Sequence, residues 1–357
     1  MRRRPPHNYC MDGEDLRPVL LDLLDIIAGR NELPPDPNEE PLSPFDENGN
    51  WNLEKIIKMN KKYMKSRLSR RRTEKMATKE DLIRVFEDTE QHCKENERLR
   101  KAIEASIKGT RFYREEDMPT ISAPRYEKTT VSVYISRTLE TAMFYHRNCP
   151  ELRIAAHNFA SATNPGGGVR KGSRAQEEAL CRCSTLLPVL ETEENKKRFY
   201  DFHRQRHDVR YTDACLYTPD VVVFKTDDDL PSLMPEDKWT LVDILTCAAP
   251  NLRAMPNNVM NPGKDKPIKM NHDDLFELHQ KRARHLLAIA AENKADVLIL
   301  GAFGCGAFQN PPELVAEAYH DLLPEFEGMF KEIVFSIYCT PRDTKNYHAF
   351  AKALEGR

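Results

Sequence analysis

Two adjacent carboxylates, Glu177 and Glu178, follow Gln176, and seven residues separate that triplet from a triple glycine, Gly166, Gly167 and Gly168. An apolar helical pattern begins at once with Ala179 and Leu180 and runs on to Leu186 and Leu187. The carboxylates are therefore expected at a helix N-terminus beside a glycine-rich loop. Glycine lacks a Cβ, so its backbone can approach a ligand closely and adopt positive φ. Consecutive amides in that geometry form a nest for an anion such as a diphosphate. A second such loop, Gly301-Ala-Phe-Gly-Cys-Gly306-Ala-Phe308, follows another apolar run. A carboxyl group next to an anion site is placed for proton transfer on a phosphate-bearing ligand. The bland alternative is the helix dipole, which favours glutamate in a first turn by about 0.3–1 kcal/mol.

The elements that must hold these loops can be read from periodicity. Apolar runs predict strands over 131–135, 152–156, 221–224, 241–245, 297–300 and 333–337. Three- and four-residue spacing predicts helices over 78–108, 139–145, 179–189, 275–293 and 312–323. Thr78 and Asp81 form a candidate N-cap pair. Strands alternating with helices indicate an α/β domain with a largely parallel sheet, and near-continuous apolar strands indicate helices on both faces. In such sheets ligands bind at the carboxyl ends of the strands, where both glycine loops fall. No internal repeat is present.

Several other chemistries are disfavoured. No GxxxxGK[ST] is present, and no GxGxxG opens a helix after a first strand, so neither an NTPase loop nor a dinucleotide fold is indicated. His203 and His207 are four apart on a predicted helix, but Arg204 stands where HExxH needs glutamate, so an exposed pair is expected. Cys181 and Cys183 point to different helix faces, with no second pair to complete a zinc site. Cys305 has no histidine near it in sequence and reads as a small residue in a crowded loop. No metal or other cofactor is implied.

The chain has 357 residues, a formal net charge of −2 and nine scattered cysteines, which fits a reducing compartment. Arg2, Arg3 and Arg4 lead into no apolar run, and no stretch approaches the roughly 18 apolar residues of a membrane span. A soluble, monomeric, intracellular protein, cytoplasmic or nuclear, is expected. Residues 1–72 read as an N-terminal helical extension. It has a short apolar helix over 16–27, a loop crowded by Pro34, Pro35, Pro37, Pro41 and Pro44, and a basic helix over 51–75. That last segment carries ten Lys or Arg against two Glu, including Lys61, Lys62, Lys65, Arg70, Arg71 and Arg72. It is either a candidate polyanion contact, centred on 55–75, or a solvated helix face.

The triple glycine and Gln176-Glu177-Glu178 together resemble the GGG-x(6–8)-QEE signature of poly(ADP-ribose) glycohydrolases, in their bacterial-type branch. The stretches NFASATNPGGGVRKGSRAQEEALCRCSTL, YTPDVVVFK, TCAAPN and LGAFGCGAFQNPPELVAEAY occur in the family's order, and the resemblance covers roughly residues 73–357. It implies a three-layer α/β/α macrodomain with a mixed, largely parallel central sheet and accessory N-terminal helices. It also implies poly(ADP-ribose) or ADP-ribosylated macromolecules as partners, and hydrolysis of ribose–ribose bonds to release ADP-ribose. Two further readings stay open: a macrodomain that only binds ADP-ribose, and a mono-ADP-ribosyl hydrolase.

By that resemblance Glu178 is the catalytic glutamate and Glu177 orients a ribose hydroxyl. Substrate contacts fall to Asn158, Asn164, Gly166, Gly167, Gly168, Val169 and Gln176 in the first block, and to Gly304, Cys305, Gly306, Ala307 and Phe308 in the second. The triple glycine and the second loop would hold the diphosphate, and Phe308 would pack on the distal ribose. Asn158 matches the first asparagine of the macrodomain Asn-Ala-Ala-Asn segment, and the second is Ser161 here. The chemistry suits these residue types. Cleaving the acetal leaves an oxocarbenium-like ribose, and a buried glutamate can stay protonated at neutral pH to assist the leaving oxygen. Adjacent helical residues point about 100° apart, so the pair cannot flank one bond from opposite sides. One acid and one orienting carboxylate is the division that remains.

Overall fold

Strands that are apolar on both faces must be covered on both faces, and the computed structural model of the chain has that arrangement. It describes residues 55, 77–121, 123–257, 265–340 and 343–354. The apolar segment at 16–27, the proline-rich loop and the basic segment apart from Lys55 lie outside the described residues. Strands β1 (Arg111–Tyr113), β2 (Thr130–Ile135), β3 (Ile154–Phe159), β4 (Cys215–Val223), β5 (Thr240–Cys247), β6 (Val297–Leu300) and β7 (Glu332–Ile337) form one sheet in the order β1-β4-β5-β3-β6-β7-β2. From β5 to β2 all neighbours are parallel; β4 runs antiparallel to β5, and β1 antiparallel to β4.

The described helices are α1 (Lys79–Glu95), α2 (Glu97–Gly109), α3 (Thr138–Asn148), α4 (Gln176–Cys183), α5 (Leu186–Leu190), α6 (His272–Glu292), α7 (Pro312–Leu322) and α8 (Lys345–Leu354), besides short turns over 193–206. One core layer packs α6, α7 and α8 on the sheet through Leu287, Val315, Phe335 and Phe350. The opposite layer packs α3, α4 and α5 through Leu139, Leu180, Leu186 and Ile244. Each fully buried side chain of this kind contributes about 1.5–3 kcal/mol. The result is the expected α/β/α sandwich. Among the described residues no helix is long and apolar enough to cross a membrane.

Local chemistry explains where the elements depart from the sequence reading. The helix expected over 78–108 breaks at Asn96, whose side chain accepts the Leu99 N–H at 3.0 Å and so starts a second helix. Its beginning is the capping box of Thr78 and Asp81. The helix expected over 179–189 also breaks, at Ser184. There the backbone turns to pair with β4, through Thr185 N–H to Val222 O (3.0 Å) and Phe224 N–H to Cys183 O (3.0 Å). β3 runs on to Phe159, which puts Asn158 in the strand. β1, three residues long, was not legible.

The accessory helices α1 and α2 lie on β4 and the loop after it. Cys93, Leu99, Val222, Phe224 and Trp239 make a small apolar cluster, and the buried Lys225 ammonium donates to Val85 O at 2.7 Å and pairs with Asp88 at 2.6 Å. Hydrogen bonds to charged groups contribute about 1.5–3 kcal/mol. Lys225→Met should therefore lower stability by about that amount, seen as a lower Tm on thermal unfolding. An unchanged Tm would mean that Lys225 adds nothing to the hold on α1.

Candidate active site

β3 and β6 are hydrogen-bonded neighbours, so the loops that leave their carboxyl ends emerge side by side. The first loop turns through Gly166 and Gly167, both left-handed at φ +68° and +55°. A Cβ on Gly167 would stand 2.6 Å from Glu178 Oε1 and 3.2 Å from Glu177 Oε2. Only glycine fits both the backbone and the carboxylates there. The loop amides then close on the glutamates: Gly168 N–H donates to Glu178 Oε1 (2.8 Å), Gly166 N–H to Glu177 Oε1 (3.2 Å), and Ser161 N–H to Glu177 Oε2 (2.7 Å). Gly167 N–H donates to Asn164 O at 3.0 Å. All three glycine amides thus donate within the protein.

Gln176 locks the start of α4 to β3. Its amide donates to His157 O (2.6 Å) and Thr138 Oγ1 (3.1 Å), and its carbonyl accepts Phe159 N–H (2.8 Å). Asn158 is buried behind Glu177, hydrogen-bonded to it and to Thr246 Oγ1 (3.2 Å). Both glutamates are buried. For Glu178 burial pushes the carboxyl pKa up, opposed by the Gly168 N–H and the Arg182 charge. For Glu177 burial and then the neighbouring Glu178 push it up, opposed by three donors. Donors reach both oxygens of Glu177. Glu178 Oε2 is buried and has no hydrogen-bond partner among the described residues. Burial thus favours the protonated form of both carboxyls, and Glu178 Oε2 is the oxygen left to share a proton with a ligand.

The second loop is pinned from below. Gly304 is left-handed at φ +76°, and a Cβ there would lie 2.5 Å from Asn310 Nδ2 and 2.6 Å from Ala249 Cβ. Buried Asn310 donates to Pro250 O (2.8 Å) and Gly304 O (3.1 Å), and its carbonyl meets His279 Nε2 at 2.9 Å. The amides of Gly304, Gly306, Ala307 and Phe308 donate to no acceptor among the described residues, and a Cβ on Gly306 would meet no atom within 4 Å. This loop, rather than the first, offers open amides to an anion. Gln309, next to Phe308 in the chain, and Tyr211, whose ring centre lies 6.2 Å from that of Phe308, are non-glycine residues with positive φ, a conformation that persists where surrounding contacts impose it.

Between the loops lies a cleft of about 510 Å³. Gly167, Gly168, Gln176, Glu177 and Glu178 line one wall, and Gly304, Gly306, Ala307 and Phe308 another. Asn158, Asn164, Gly166, Val169 and Cys305 do not line it. Val169 is buried in the core, the Asn164 side chain is turned onto Gly167 O, and the Cys305 thiol, raised by burial, faces Phe303 O at 3.6 Å. Three cleft residues were missed in the sequence. Arg137 stacks 4.6 Å from the ring centre of half-exposed Tyr338 and pairs with Asp229; Arg253 stacks 5.5 Å from that of Phe308. None sits in a motif that would have marked it. The expected exposed histidine pair is also corrected. His203 is buried between Phe199 O (2.7 Å) and Thr212 Oγ1 (2.8 Å), with its pKa pushed down to about 4, and only His207 is exposed. Among the described residues no group of three or more His, Cys, Asp or Glu could hold a metal ion.

A mixed α/β/α sheet with a carboxylate pair and an amide-lined loop facing each other across the strand ends is a macrodomain. Residues 79–226 match the family model of the microbial-type PARG catalytic domain. Poly(ADP-ribose) glycohydrolase from Thermomonospora curvata is 30% identical with a TM-score of 0.63, the match covering 77% of this chain and 99% of that one. Its complex with the inhibitor ADP-HPD is 30% identical, with TM-score 0.63 and coverages of 76% and 99%. The Deinococcus radiodurans enzyme in complex with ADP-ribose is 31% identical with TM-score 0.58, covering 71% and 97%. No curated protein shows significant sequence similarity to the chain. The chain belongs to the poly(ADP-ribose) glycohydrolase family.

The contact of Gly167 with both carboxylates gives a direct test. Gly167→Ala should leave the fold intact by circular dichroism and lower hydrolysis about 10²-fold, the cost of displacing a reacting group by about 1 Å. Wild-type rates in that variant would show that the loop does not position Glu178.

Proposed function

We propose that this chain hydrolyses the ribose–ribose O-glycosidic bonds of poly(ADP-ribose), releasing ADP-ribose, with Glu178 as general acid and then general base. The observation that carries this is the asymmetry of the pair: Glu177 has donors on both oxygens, whereas Glu178 Oε2 is buried at the cleft wall without one. Glu178 gives its proton to the leaving ribose oxygen as the C1–O bond breaks, with the bonding pair going to that oxygen. The resulting oxocarbenium-like ribose is attacked by water, and the Glu178 carboxylate takes the water's proton. Glu177, held by donors on both oxygens, accepts a hydrogen bond from a ribose hydroxyl and fixes the ring for attack. The diphosphate is assigned to the open amides from Gly304 to Phe308, with Phe308 on the distal ribose, and the adenine to the half-exposed ring of Tyr338, which also lines the cleft.

Residues 73–357 form the catalytic unit in this reading, and the basic run within 55–75 adds contact with long polymer. A monomer in a reducing intracellular compartment, cytoplasmic or nuclear, fits the eight described cysteines, which form no disulfide with one another.

Glu178→Gln keeps the size of the side chain and removes the transferable proton. It should retain ADP-ribose binding by calorimetry and lose about 10²–10⁴-fold in hydrolysis, the range of general acid catalysis. In the wild type kcat should fall as pH rises through the elevated Glu178 pKa, because the acid form is lost above it. Retention of most polymer cleavage by the variant would overturn the assignment.

A further inference from the structure

Three cations of the segment 204–210 are paired with carboxylates. Arg204 pairs with Asp201, Arg210 with Asp208 at 2.7 Å, and His207 with Asp265 at 3.3 Å. Arg253 forms no ion pair with any described carboxylate. Its Nε donates to Asn251 Oδ1 at 3.0 Å and its Nη2 to Pro256 O at 2.9 Å, while Nη1 has no acceptor among the described residues. Neutral acceptors thus fix the plane of the guanidinium without cancelling its charge. The group is half-buried, lines the cleft and lies over the Phe308 ring. Burial disfavours the cation and lowers its pKa, so an anion arriving from the ligand relieves a cost already present in the free protein. Of the other cleft arginines, Arg137 pairs with Asp227 and Asp229, Arg182 feels Glu178 and Asp227, and Arg174 is exposed and donates to Ala77 O.

The place of Arg253 says which anion it meets. With the terminal diphosphate on the open amides and the distal ribose on Phe308, Arg253, which lies over the Phe308 ring, borders the reacting ribose. There the scissile bond leads out to the next unit of the polymer. We propose that Arg253 binds a phosphate of the penultimate ADP-ribose unit, forming a leaving-group subsite that favours polymer over a single unit. This rests on the reading of the site given above.

The test compares Arg253→Gln, which keeps donors for Asn251 and Pro256, with Arg253→Lys, which keeps the charge. Affinities for ADP-ribose and for short purified poly(ADP-ribose) would be measured by calorimetry in the Glu178→Gln background, so that no substrate is consumed. Arg253→Gln should weaken polymer binding about tenfold and shift ADP-ribose affinity less than twofold. It should also reduce the slope of log affinity against log salt by about one, the loss of one phosphate contact; Arg253→Lys should restore part of both. Equal losses for polymer and ADP-ribose would place Arg253 on the terminal unit, and unchanged polymer binding would leave it only a loop clamp; either overturns the proposal. Failure of the glycohydrolase reading would appear separately, as absence of cleavage by the wild type.

Discussion

The site depends on backbone amides turned inward onto two carboxylates. Gly166 and Gly168, with Ser161, donate to Glu177 and Glu178, and that geometry exists because Gly166 and Gly167 take a left-handed turn in which a Cβ would strike Leu187 or Glu178. Hydrogen bonds to charged groups contribute about 1.5–3 kcal/mol each, and an unpaired buried carboxylate would shift toward its neutral form. Burial raises both carboxyl pKa values. The donors set them apart in geometry: Glu177 is held on both oxygens and Glu178 on one, which leaves Glu178 Oε2 without a partner among the described residues.

The rest of the fold serves to keep those amides in place. Adjacent parallel strands β3 and β6 bring two loops from distant parts of the chain to the same edge. Gln176 ties the helix that bears the glutamates to the end of β3, and Asn310 ties the second loop to Pro250 and Gly304. The two loops divide the labour between them. The first fixes the acid, and the second keeps four amides open for an anion. Asn310 is buried and Gln176 partly so, and each is satisfied by several partners, the condition under which such networks rigidify a site.

Much of this was legible in residue spacing. The strands and helices of the sandwich follow the apolar periods, and the triple glycine before Gln176-Glu177-Glu178 pointed to the site and to the family. What spacing cannot carry is direction. A glycine run marks a tight turn, but whether its amides face a ligand or a side chain depends on where α4 puts Glu177 and Glu178. Asn158 matched a binding position in sequence, yet the extension of β3 to Phe159 turns it behind Glu177. His203 looked exposed from helical spacing and is buried because Thr212 and Phe199 satisfy its ring. Tyr338 and Arg253 come from loops without motif character, and only the closing of the sheet brings them to the cleft.

The central claim is that a glycine-clamped Glu178 makes this macrodomain cleave the polymer as well as bind it. The direct measurement is incubation of the purified chain with poly(ADP-ribose), followed by chromatography of the products over time. The structure predicts loss of polymer with accumulation of free ADP-ribose. Polymer that is bound but recovered at its original length would contradict it and leave a macrodomain that only reads ADP-ribose.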